Sequence, residues 1–362
     1  MSKFKVDFTL KQHTPIIHFQ SEQSGATLRA TELKPKFDKF LLQHVENLPY
    51  KKNANGHKSL EYKVTIEPNV SQATTINSRE SLFFGNMGDG EEKKYKNFTK
   101  TFTIEFFSYS PKLIETITGH FEAFLANTNF GTRQSKGYGS FYIDKHKFNE
   151  KLIPHKVYSF SSTNWEKDIK LLYSFLRQGI NLPRSKNPFY TKPAIFAYAK
   201  SKGWQWDKKS IKEVYFSNVL EQQQNKYKSS DIVHYTSHEK YLLRDLFGLS
   251  SSQEWKSYHK IIEKENPFIE RFKSPITFKI VDNRVYFWVN ETVENFLNQT
   301  FLIKAGRGND TLELSTPSHF DFEEFLDFAI AINLNTHIAD TFHETNEFKN
   351  LKNMLEEMKA SL

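Results

Sequence analysis

The 362-residue sequence contains no cysteine, which removes disulfides, thiol nucleophiles, zinc ribbons and cysteine-ligated iron–sulfur clusters from consideration. It has no run of about 18 apolar residues, and its first stretch, MSKFKVDFTLKQHTP, lacks the apolar segment of a signal peptide. A soluble, cytoplasmic protein with no membrane partner is expected. Arginine is scarce, 9 against 41 lysines, and so is glycine, with 14. Nucleophile elbows, Walker loops, dinucleotide fingerprints and EF-hand loops are all missing, and no cofactor is expected. What the chain does have is an excess of basic side chains, formally +8, with 34 Phe, 16 Tyr and 5 Trp. The aromatic supply argues for packed cores rather than disorder, and the charge favours an anionic partner.

Alternation of Phe4, Val6, Phe8 and Leu10 predicts a first strand, followed by a Thr14-Pro15 turn. A helix is expected from about Ala26 to Asn47, with Pro35 marking a break or a first-turn position inside that segment. Strands follow at Leu60 to Glu67 and Phe98 to Phe107, then a helix opened by Pro111 and ending near Asn127, then a strand from Gly139 to Ile143. Strand, helix, strand, strand, helix, strand is the order of a ferredoxin-like or RRM-like domain. The expected fold class is therefore α+β. A ferredoxin-like domain over residues 1–155 carries a polar insertion near 70–97. A helix-rich domain over 156–362 follows, with a helix at Trp165 to Arg177, helical or irregular segments including Tyr190 to Lys202 and Lys240 to Leu249, a β-hairpin near 275–290, and a smaller, degenerate second RRM-like domain.

Eight of the fourteen glycines lie in three clusters, at Gly85 to Gly90, Gly131 to Gly139, and Gly306 with Gly308. The middle cluster, GTRQSKGYGSF, lies between a helix and a strand. Gly131, Gly137 and Gly139 allow close backbone approach, Arg133 and Lys136 supply charge, Thr132 and Ser135 supply hydroxyls, and Tyr138 supplies a stacking ring. That set suits a sugar-phosphate backbone; a purely structural basic turn is the competing reading. Arg29, Lys34 and Lys36 gather where the first helix begins and would extend the same surface, since helix N-termini favour anions. His13 and His18 flank the Thr14-Pro15 turn and are the candidates for acid/base chemistry, with a structural role as the competing reading. His234 and His238 are spaced four apart but lack a third ligand, so no metal site is expected.

The Thr14-Pro15-Ile16 turn, the segment Leu28-Arg-Ala-Thr-Glu-Leu-Lys34 and the loop GTRQSKGYGSF together resemble the RAMP superfamily of CRISPR-associated proteins. Leu176-Arg-Gln-Gly-Ile-Asn181 and Arg271-Phe-Lys-Ser-Pro-Ile-Thr-Phe278 are similar to segments of its type III members. Within the superfamily, the arrangement resembles the Cmr-type (type III-B) subunit that captures target RNA. Ala30 stands where a glycine is common in such proteins. The resemblance implies two RRM-like halves, contact with guide RNA, target RNA or both, assembly with other CRISPR effector subunits in antiviral defence, and no catalysis. The alternative from a different class is a metal-independent endoribonuclease that processes guide RNA with His18 or His13.

Overall fold

The computed structural model describes residues 3–18, 24–25, 27–67, 72–76, 95–182, 188–216, 239–255, 259–306 and 310–361. The protein is mixed α/β with small sheets, and it divides into two compact units. One comprises Met1–Trp165 and Thr277–Trp288; the other comprises Glu166–Ile276 and Val289–Leu362. The first unit thus runs ten residues beyond the expected boundary at 155 and takes in a hairpin expected in the second half.

In the first unit, β1 (Lys5–Gln12), α1 (Ala30–His44), β2 (Lys63–Ile66), β3 (Thr101–Phe107), α2 (Pro111–Asn127) and β4 (Phe141–Ile143) follow one another. The sheet order is β2-β3-β1-β4 and every neighbouring pair is antiparallel. Period-two alternation in β3 turns Phe102, Ile104 and Phe106 inward. Helical spacing does the same for Leu33, Phe37 and Leu41 of α1 and for Ile117, Phe121 and Phe124 of α2. Phe37, Phe106 and Phe121 meet with centroids 4.9 to 5.8 Å apart, edge to face. Ser110 caps α2 by accepting from the Leu113 amide, and Pro111 fills the first turn, where its missing N–H costs nothing. Helix α1 is shorter than expected, because Arg29 and Val45 are both extended and act as its caps.

The late hairpin, Ile276–Val281 with Arg284–Val289, pairs with β5 (Tyr158–Ser161), Arg284 opposite Ser161 and Phe287 opposite Tyr158. This pairing is why residues more than a hundred positions downstream belong to the first unit.

The second unit contains α3 (Trp165–Arg177, from Glu166 on), α4 (Ala194–Ser201), α5 (Asp207–Tyr215), α6 (Phe322–Ala331) and α7 (Asn346–Ala360). It also contains a six-stranded sheet. In sheet order the strands are Gln205–Trp206, Lys240–Tyr241, Leu312–Ser315, Thr300–Ala305, Lys260–Glu265 and Ser252–Trp255. The helical or irregular segment expected at Lys240 to Leu249 consists of a short strand, a 3-10 turn at Arg244–Phe247 and a second short strand. The strand KIIEKE shows no apolar alternation because one of its two inward residues is a lysine: Ile262 and Lys264 are both buried, and the Lys264 ammonium pairs with the buried Asp245 carboxylate. No helix among the described residues is long and apolar enough to cross a membrane.

Candidate nucleic-acid interface

The glycine loop leaves α2 and returns as β4. Its neck closes through a bridge between Asn129 and Ser140 and a 2.9 Å bond from the Phe130 amide to the Gly139 carbonyl. Two positions require glycine. Gly131 and Gly139 have φ of +79° and +66°, and an added Cβ would stand 2.4 Å from the Ile17 carbonyl oxygen and 1.9 Å from that of Phe130. Arg133 itself is left-handed, at φ 57°.

The Thr14-Pro15 turn clamps this loop. The Gly139 amide donates to Pro15 O at 2.8 Å and the Thr132 amide to Ile17 O at 2.7 Å. The Thr14 hydroxyl donates to Gly137 O at 2.5 Å and accepts from the Ser140 amide at 2.9 Å. On another side, the hairpin strand docks through the Phe278 amide on Ser135 O at 3.0 Å, while the Asn129 side chain donates to both Gln134 O and Phe278 O at 2.7 Å. The Ser140 hydroxyl donates to Ile280 O.

The first turns of α1 complete the arrangement. Glu32 accepts from the Gly131 amide at 2.6 Å and from Lys36 Nζ at 2.9 Å. Lys36 also donates to Asn129 O and Gln134 Oε1 and lies 4.9 Å from the Phe130 ring centroid. Lys34 points elsewhere, donating to Asp38, Ser59 and Leu60 O, with its ammonium 4.0 Å from the Tyr62 ring centroid. Arg29, half-buried, is the extended N-cap of α1 and makes no side-chain capping bond.

Of the residues expected to meet RNA, Thr132, Arg133 and Ser135 form a half-exposed tip, together with Gln134. Gly131, Lys136, Gly137, Tyr138 and Gly139 are buried. Tyr138, expected as a stacking ring, is 3% exposed and sits edge-on to Trp165 at 4.9 Å. Lys136 lies with its ammonium 5.9 Å from the Phe278 ring centroid. Burial pulls the Arg133 pKa below its ordinary value, and the Tyr138 ring beside it opposes the shift.

Neither histidine presents its ring to solvent: the His13 side chain is 4% exposed, and His18 is buried. The His13 Nδ1 accepts from the Asp282 amide at 2.9 Å, which places the proton of the neutral ring on Nε2. Burial lowers the His13 pKa to about 4, with Asp282 opposing the shift. His18 is 3% exposed. Arg177, singled out by its scarcity, donates to the carbonyls of Arg244 and Gly248 at 3.0 Å and braces the second unit. Arg307, the His234–His238 pair and the Gly85 to Gly90 cluster lie outside the described residues.

Several residues that organise the loop carried no sequence signal. Gln12 donates to the carbonyls of Thr14 and Asn97 and accepts from the Thr99 amide. Lys279 is fully buried and donates to Thr128 O and Phe141 O at 2.8 and 3.0 Å; burial alone drives its pKa well below the usual lysine value. Their periodic positions look like ordinary strand residues. The partners lie up to 151 residues away.

Two family models match the sequence, the Cmr1 N-terminal domain over residues 3–180 and the Cmr1 C-terminal domain over residues 190–354. No curated protein matches. Among solved structures, the crystal structure of Cmr1 from Pyrococcus furiosus in its apo form is 11% identical. The match covers 80% of this chain and 88% of that one, with a TM-score of 0.36. The class defined by these matches is that of Cmr-type subunits of type III-B CRISPR effector complexes. Within that class, the chain belongs to the Cmr1 family.

Proposed function

We propose that the chain is a non-catalytic RNA-binding subunit of its effector ribonucleoprotein, holding guide RNA, target RNA or both in antiviral defence, and working beside other subunits. The observation that carries this reading is the glycine loop: a half-exposed Thr132–Ser135 tip with Arg133 left-handed, held from three sides beside the start of α1. Such a tip offers a guanidinium and hydroxyl oxygens on a backbone that is already fixed, so less entropy is lost on binding, which suits phosphate contact more than base readout.

Within this reading Arg133, Thr132 and Ser135 touch the strand and Arg29 adds charge at the helix start. Lys34 and Lys36, each partly exposed, brace the loop and α1 while contributing to the local field. Gly131, Gly137, Gly139, Lys136 and Tyr138 shape and support the tip from beneath. The strand order β2-β3-β1-β4 supports a ferredoxin-like, RRM-like description of the first unit. The endoribonuclease alternative is not favoured, because His18 is buried, the His13 side chain is covered, and His13 is held neutral by its surroundings.

The test is a salt series of RNA binding by the full chain, wild type against Arg133→Ala. The variant is expected to bind roughly tenfold more weakly, with the slope of log K against log salt reduced by about 0.7. Unchanged affinity and slope would remove the loop tip from the interface.

A further inference from the structure

We propose that the hairpin at residues 49–60 is a second RNA-contact surface, over which a single-stranded backbone continues from the glycine loop across the first turns of α1. The proposal rests on the RNA-binding reading above and adds a place on the protein that the loop does not include.

Lys51–Lys52 pairs with Lys58–Ser59, and every residue from 49 to 58 is exposed. That stretch carries Lys51, Lys52, His57 and Lys58 and no carboxylate of its own; Lys51 pairs with Glu61 at the hairpin base, which leaves Lys52 and Lys58 as the cations of the proposed contact. Tyr50 is 42% exposed, with Lys58 Nζ 4.6 Å from its ring centroid. A ring and an ammonium side by side match a nucleotide, which brings a base to stack and a phosphate to neutralise. An acidic protein surface would use the lysines but not the ring.

The hairpin is built rather than loose. Asn53 Oδ1 accepts from the amides of Asn55 and His57 at 3.0 and 2.9 Å, and the Asn53 amide and carbonyl bond to His57 O and Gly56 N. Its base is tied to α1. The buried Asp38 accepts from Lys34 Nζ, the Ser59 hydroxyl and the Leu60 amide, and Lys34 also donates to Ser59 and Leu60 O.

This tether places the hairpin relative to the loop. Lys34 reaches the hairpin base and Lys36 reaches Asn129 and Gln134 of the loop, and residues two apart on a helix point to opposite sides. The two basic surfaces therefore flank the same turns of α1, separated by about one helix diameter of 10–12 Å. The stripe of α1 exposed between them, Thr31, Pro35 and Lys39, has no carboxylate to repel a phosphate.

The experiment titrates the full-length chain with a fluorescently labelled single-stranded RNA across a salt series. It compares wild type, Lys52→Ala/Lys58→Ala, Lys52→Arg/Lys58→Arg and Arg133→Ala. Loss of two phosphate contacts is expected to weaken binding by roughly tenfold or more and to reduce the salt slope by about 1.4, while the double arginine variant binds like wild type. Tyr50→Ala is expected to weaken binding at least fivefold with the slope unchanged. If Arg133→Ala weakens binding while the double alanine variant keeps wild-type affinity and slope, the hairpin proposal falls and the RNA-binding reading stands. If wild type binds no RNA at any salt, the reading itself fails, and the proposal with it. If the double arginine variant loses as much as the double alanine variant, charge is not the cause and the proposal is overturned. If the double alanine variant loses binding to poly-glutamate but not to RNA, the partner is an acidic protein and the RNA proposal is wrong.

Discussion

Gly139 and His13 show how much a single residue here depends on neighbours far along the chain. A methyl group at Gly139 would lie 1.9 Å from the Phe130 carbonyl in a left-handed backbone, so both strain and overlap oppose it. Gly139→Ala is expected to lower stability by at least about 2 kcal/mol in chemical denaturation and to weaken RNA binding through the displaced tip. His13 carries a pH dependence whose sign follows from its burial. Its folded pKa lies near 4, below the unfolded value of 6.5, so its contribution to stability is complete above about pH 6.5 and is lost as pH falls toward 4. Wild type is expected to lose about 2 kcal/mol more than His13→Asn between about pH 7 and pH 5, read from denaturation midpoints at each pH. The glycines of the loop were legible in the sequence, because their spacing between a helix and a strand admits few other uses. The depth of Tyr138 and Lys136 was not, since a tyrosine and a lysine in a glycine-rich turn have the same local signature whether they face solvent or Trp165 and Phe278.

Among elements, α2 and α3 run from Pro111 to Asn127 and from Trp165 to Arg177, as their apolar spacing predicts. Both have strong punctuation: Ser110-Pro111 opens one, and Gly179, in a left-handed conformation, follows the other. The strand Lys260–Glu265 was illegible for a reason particular to it, the buried lysine at the position where an apolar residue would have completed the alternation. Its energetics are testable. Lys264→Ala leaves the buried Asp245 carboxylate without the ammonium it pairs with and is expected to cost about 3–5 kcal/mol. Lys264→Met with Asp245→Leu removes both charges and is expected to cost far less, so a double-mutant cycle should show coupling of several kcal/mol. Additive losses in denaturant would mean that the two side chains do not support the sheet as a pair.

For the whole molecule, the division of the chain matters more than its total charge. A fragment of residues 1–165 would omit the Thr277–Trp288 hairpin, leaving β5 without its neighbour and the side chains of Asn129 and Ser140 without the carbonyls of Phe278 and Ile280. Such a fragment is expected to aggregate or to melt well below the full chain, whereas adding the hairpin back through a linker should restore a cooperative transition in circular dichroism. The sequence by itself determined the cysteine-free chemistry, the order of β1, α1, β2, β3, α2 and β4, though not the hairpin at 51–59, the position of the glycine loop and a resemblance that the family matches extend over nearly the whole chain. Those features are local: a turn, a cap or an alternating pattern acts within a few residues, so composition and spacing suffice to read it. Only the tertiary structure decided which cations brace and which face solvent, that Lys36 and Glu32 hold the loop, and that a hairpin some 120 residues beyond β5 completes the first unit. Burial and pairing of that kind are set by contacts between segments distant in the chain, and a lysine carries no mark in its neighbours to say whether it meets water or a buried carboxylate.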